Sequence, residues 1–151
     1  MRVLTAFLFM LVLMAGSTGA SAQGTDIKGA LERLVAHPER QSRFVVIDHL
    51  ATGKFVQFDF TNNQILIDLP VTALTADELE RARSLFASSG VASPNVITDQ
   101  HAETGEEWAI TTYQLGFGSD SAGATDFANR VMREVYLLPR DAPLAVTEGS
   151  R

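Results

Sequence analysis

Few side chains in this sequence are spaced for chemistry. Asp120-Ser121-Ala122-Gly123 carries the acid and hydroxyl of a nucleophile neighbourhood. A nucleophile elbow needs Gly-x-Ser-x-Gly, and Ser119 stands where the first glycine belongs. No histidine is assigned to take the serine proton, so these residues give no triad. Asp48-His49 and Asp99-x-His101 offer carboxylate with imidazole, a mixed oxygen and nitrogen ligand set. Neither has His-x-x-x-His spacing, and both read as surface polar residues rather than a metal site. Gly116 to Gly123 precedes a helix, where free N–H groups can hold an anion. It lacks the lysine and Ser/Thr of a P-loop and reads as a flexible strand-to-helix connection. Glu103, Glu106 and Glu107 read as a solvated acidic loop. The reading is a non-enzyme with no catalytic residue, no metal and no cofactor.

Composition narrows the classes further. The chain has 151 residues, no cysteine and a formal net charge of −6. No disulfide, thiolate metal site or thiol nucleophile can be built without cysteine. The acidic balance argues against a nucleic-acid groove or an anionic membrane surface, because both demand basic patches.

Residues 1–22 have the order of a secretory signal peptide: Arg2, an apolar run from Val3 to Ala15, then a small-residue segment ending Ala20-Ser21-Ala22. The apolar run is short against the roughly 20 residues needed to span a bilayer. Cleavage between Ala22 and Gln23 is expected, leaving a periplasmic or secreted protein with no membrane contact. Residues 1–22 hold one charged group, Arg2, so the mature net charge becomes −7. Residues 23–139 then form one domain and 140–151 a loose tail.

The elements follow from periodicity. Ile27, Ala30, Leu31, Leu34 and Val35 draw one apolar helical stripe, capped by Thr25 or Asp26 and stopped by Pro38. Arg43 to Asp48, Lys54 to Phe60 and Gln64 to Leu69 predict three strands of an antiparallel meander. In the second, Val56, Phe58 and Phe60 share one face while Gln57 and Asp59 lie on the other. Thr75-Ala76-Asp77-Glu78 is a capping box opening a helix that Gly90 ends. Val96 to Thr98 and Glu107 to Leu115 predict two more strands. A last helix from Thr125 or Asp126 ends at Pro139. The order α-β-β-β-α-β-β-α predicts an α+β two-layer domain, an antiparallel sheet flanked by helices.

Two aromatic groupings are candidates for binding. Phe55 falls on the polar-side face of its strand, so Phe55, Gln57 and Phe117 are the candidate binding surface. Trp108, Tyr113 and Phe127 are the candidate lining of a pocket between sheet and helices, which a small molecule would fill.

Arg43 to Phe58 (RFVVIDHLATGKFVQF), ILIDLP at 65–70, LTADELERARSLF at 74–86 and FANRVMREVYLLP at 127–139 together resemble one family. The chain is similar to the type III secretion chaperone-like domains, the TY-Chap and YbjN-type group. That resemblance covers most of residues 26–146. It implies a small α+β domain that is non-catalytic, binds a polypeptide partner or itself, and is often a homodimer. Phe55 stands where the group often has tyrosine before Val-Gln-Phe. The resemblance supplies no catalytic residues.

Overall fold

The apolar helical stripes and the apolar face of the alternating strands each need a partner layer, and they find it in each other. The computed structural model describes residues 26–100 and 104–150. Helix α1 spans Ile27–Ala36 and is capped by Asp26, whose carboxylate accepts from Gly29 N at 2.8 Å. Strands β1 (Arg43–His49), β2 (Lys54–Thr61) and β3 (Gln64–Pro70) form the expected meander. The β2–β3 turn holds Asn62 and Asn63 at φ 53° and 62°, a conformation asparagine tolerates well. Helix α2 (Ala76–Ser88) opens with the capping box between Thr75 and Glu78. Strands β4 (Asn95–Gln100) and β5 (Glu107–Gly116) follow.

Helix α3 starts earlier than its apolar stripe suggests. It spans Ser121–Arg130 with Asp120 as cap, accepting from Gly123 N at 2.9 Å. The Gly116–Gly123 connection is not a free loop. Phe117 N and Ile65 N exchange hydrogen bonds with Ile65 O and Gly118 O, which extends the β3 ladder by two residues. Past Arg130 the chain widens into a π-helical turn, Val131–Val135. The Val135 carbonyl released there accepts from Arg81 Nε of α2 at 2.7 Å.

The expected loose tail is a strand. Residues Ala145–Ser150 form β6, which pairs antiparallel with β1 from Arg43↔Ser150 to Asp48↔Ala145. Short strands with a glycine give little alternation to read, so only the open edge of β1 reveals this partner. Gly149 suits its place because a Cβ there would meet the Phe44 ring at 2.3 Å. The sheet order is β4-β5-β3-β2-β1-β6, every pairing antiparallel. The two-layer α+β architecture therefore holds, with six strands and three α-helices among the described residues.

The three α-helices of the described residues lie on one face of the sheet. The core joins Ala30, Leu31 and Leu34 of α1, Leu85 and Phe86 of α2, and Phe127 and Ala128 of α3 to the sheet. The sheet contributes Val45, Ile47, Val56, Phe58, Phe60, Ile65, Ile67, Leu69, Tyr113 and Val146. Phe86 lies at its centre, with ring centroids 4.9 Å from Tyr113 and 5.1 Å from Phe127.

Candidate functional site

Strand alternation sends every second side chain to the face that no described helix covers. The cross-strand register places them: Phe44, Val46 and Asp48 on β1, Phe55, Gln57 and Asp59 on β2, Leu66 and Asp68 on β3, Thr112 and Gln114 on β5. Val46, Asp48, Gln57, Asp59, Asp68 and Thr112 are buried, each at most 5% exposed. Val46 is buried without belonging to the helix-side core. Phe44, Phe55, Leu66, Trp108, Ile110 and Gln114 are half-buried around them.

This face is acidic by construction. The basic side chains of β1 and β2, Arg43, His49 and Lys54, fall on the opposite alternation, toward the helices. Among the described strand residues of the helix-free face there is no Lys, Arg or His.

Its polar groups are partly satisfied within the sheet. Gln57 Nε2 donates to Asp59 Oδ2 at 3.2 Å. Thr112 Oγ1 donates to Asp68 Oδ1, linking β5 to β3. Two buried acceptors, Asp48 Oδ1 and Gln57 Oε1, have no hydrogen-bond donor among the described residues. Burial pushes the Asp48 carboxyl above its ordinary value, and the nearby His49 pulls weakly the other way. A buried acceptor without a donor costs about 1–3 kcal/mol, so such atoms call for an explanation.

The structure separates the residues of both candidate groupings. Phe55 and Gln57 do share the helix-free face, directly opposite Asp48 and Val46. Gln57 is 1% exposed and is occupied with Asp59. Phe117 leaves that surface: its ring lies 5.7 Å from Phe127, against the helix-side core. The pocket lining is divided in the same way. Tyr113 and Phe127 are core side chains with Phe86 filling the space between them. Trp108 lies five residues from Tyr113 on the same strand, an odd step, so it faces the other side of the sheet.

The remaining candidates have structural roles. Asp120 caps α3, and Ser121 is its first residue. His49 Nδ1 pairs with Thr52 Oγ1 at 2.8 Å in the β1–β2 turn. His37 ends α1: its backbone N–H donates to Leu34 O at 3.4 Å, and its Nδ1 accepts from Glu39 N at 3.1 Å. His101, Glu103 and the Ala22–Gln23 junction lie outside the described residues. Among the described residues, no group of three or more His, Cys, Asp and Glu is placed to hold a metal ion. No helix among them is long and apolar enough to cross a membrane.

Two features escaped the sequence reading. A cavity of about 330 Å³ opens between α1, β1 and β6, lined by Arg33, His37, Arg43 and Glu148 among others. It depends on β6 and so on the strand that pattern alone did not reveal. Inside it Arg33 Nε and Glu148 Oε1 already pair at 2.9 Å. The second is the burial of Asp48, Gln57, Asp59 and Asp68. Their alternation with apolar residues was legible, but it carries the signature of a solvated face.

Compared with protein-family models, curated proteins and solved structures, the chain matches none of them.

Proposed function

We propose that this chain is an exported, non-catalytic protein-binding module, similar in kind to the type III secretion chaperone-like domains, that engages a polypeptide through the helix-free face of its sheet. One observation carries the reading: six side chains are buried on a face that no described helix covers, and two of their acceptors lack donors. Solvated sheet faces keep their polar groups in water, whereas contact surfaces combine apolar side chains with hydrogen-bonding groups in one patch. Phe44, Phe55 and Leu66 supply half-buried apolar side chains on this face. Export follows from residues 1–22, with Gln23 as the mature N-terminus and the periplasm or exterior as the compartment.

The test uses the full chain expressed in a bacterium that exports it. A photoreactive phenylalanine replaces Phe55 on the helix-free face or Arg81 on α2, and native mass spectrometry follows. A mature mass beginning at Gln23, with a polypeptide adduct from position 55 and none from position 81, is the expected result. A monomer without a polypeptide adduct, carrying a small-molecule mass, would overturn the reading in favour of a ligand-binding domain.

A further inference from the structure

We propose that the cavity between α1, β1 and β6 binds a small organic monoanion, a carboxylate on a short apolar body, with the Arg43 guanidinium as its anchor. The site lies on the helix side of the sheet, away from the face assigned to polypeptide binding, and stands independently of that reading. Strand register and the end of α1 build it together. Arg43 and Val45 of β1 share the helix side with Glu148 of β6, which stands directly opposite Val45. Leu34 comes from the last turn of α1, and His37 ends that helix. The space is about 330 Å³, the size of a small-molecule site.

Three observations select the ligand. The first is which cation is uncommitted. Arg33 Nε pairs with Glu148 Oε1 at 2.9 Å, and its Nη1 lies 3.8 Å from Asp26 Oδ2. Arg40 does not line the cavity; it sits 4.8 Å over the Phe60 ring and donates to Val35 O. Arg43 is half-buried, and its guanidinium has no hydrogen-bond or ion-pair partner among the described residues. An arginine fork matches a carboxylate with two parallel hydrogen bonds. His37 supplies a further donor, because Nδ1 accepts from Glu39 N and the neutral ring then carries its proton on Nε2. The second observation is Glu148 on the same lining, which opposes a second negative charge and so favours a monoanion over a dianion. The third is the apolar wall of Leu34 and Val45, 3% and 1% exposed, which a bare inorganic ion would not use. A cationic ligand would meet Arg43 itself.

The probes are hexanoate, its neutral analogue hexanamide, and inorganic phosphate, each titrated into the full chain prepared as in the test above. Amide NMR shifts locate the binding. Hexanoate should move the amides of Leu34, His37 and Glu148 and bind at least about tenfold more tightly than hexanamide or phosphate. Arg43→Gln should weaken hexanoate about tenfold, to the level of hexanamide, without lowering Tm, since no partner of Arg43 is lost. Glu148→Gln should tighten hexanoate about threefold, because it removes a carboxylate from the lining and releases Arg33. A gain in affinity is an effect that misfolding does not mimic. Equal binding of hexanoate and hexanamide overturns the anionic preference, and phosphate as tight as hexanoate overturns the apolar body. Shifts confined to residues away from the cavity, or unchanged affinity in Arg43→Gln, overturn the site. Where Arg43→Gln fails to fold, Glu148→Gln decides, and unchanged or weaker hexanoate binding there overturns the proposal.

Discussion

Lys54 Nζ lies 2.8 Å from Glu78 Oε1, joining β2 to the first turn of α2. The same carboxylate accepts from Thr75 N at 2.8 Å, so one side chain closes the helix cap and anchors the helix to the sheet. Burial opposes the charge on Glu78, but hydrogen bonds from Lys54 and Thr75 prevail and hold its carboxyl below the usual 4.5. A carboxyl lowered in the folded state stabilises fully above its unfolded pKa and loses that contribution as pH falls through the folded value. Glu78→Gln should therefore cost about 1–2 kcal/mol at pH 7, the scale of one charge-assisted hydrogen bond. The difference from the parent should shrink as pH falls below 4.5. Urea titrations at pH 7 and pH 3 check it; an equal loss at both would refute the ion-pair account.

Asp48 runs the opposite way. Its carboxyl is raised by burial, so the folded chain holds a proton that the unfolded chain releases first. Its stabilising effect is present below the ordinary value of 3.8 and disappears as pH rises through the raised value. Asp48→Asn should raise stability at pH 7 by about 1 kcal/mol, on the scale of relieving one poorly satisfied buried polar group. The gain should vanish at pH 3. Thermal melts at both values check it, and destabilisation at pH 7 would show that the carboxylate has a compensating partner.

Strand β6, Ala145–Ser150, completes the sheet, and deleting the chain from position 145 onward should destabilise the domain. Val146 is 2% exposed and belongs to the core, and burying one such side chain is worth about 1.5–3 kcal/mol. Deletion also bares the backbone edge of β1. Gly149→Val is the milder probe: its Cβ would meet Phe44 Cζ at 2.3 Å, and overpacking costs about 1–3 kcal/mol. Amide exchange at β1 should quicken in both variants. Unchanged protection would return 140–151 to the status of a loose tail.

Phe86 and Trp108 should respond oppositely to truncation. Phe86 is fully buried between Tyr113 and Phe127, and Phe86→Ala should cost about 3–5 kcal/mol. Trp108 is half-buried at the β5 end, and Trp108→Phe should stay within about 0.5 kcal/mol. Denaturant midpoints measure both. A tolerant Phe86 would mean that the centre of the helix-side core has room for a ligand after all.

Local rules carried much of this fold into the sequence. Alternation in β2 and β3 placed Val56, Phe58, Phe60, Ile65, Ile67 and Leu69 on one core face, where they are found. Thr75 and Glu78 announced the start of α2 because a capping box is completed within four residues. Such signals need only near neighbours along the chain. The start of α3 was misplaced for the same reason, since Asp120 caps by a local hydrogen bond while the apolar stripe begins later.

Tertiary structure alone decided the rest. The partnership of β6 with β1 is a pairing of residues about 100 positions apart, and a six-residue strand with one glycine does not announce it. Phe117 and Phe55 were both exposed aromatics by pattern, but the β3 ladder carries Phe117 to Phe127 while alternation turns Phe55 the other way. Periodicity says which residues share a face and not which face the helices cover. That choice placed α1, α2 and α3 on the apolar side and left Asp48, Gln57 and Phe55 together on the other, because only there could the three helical stripes bury themselves.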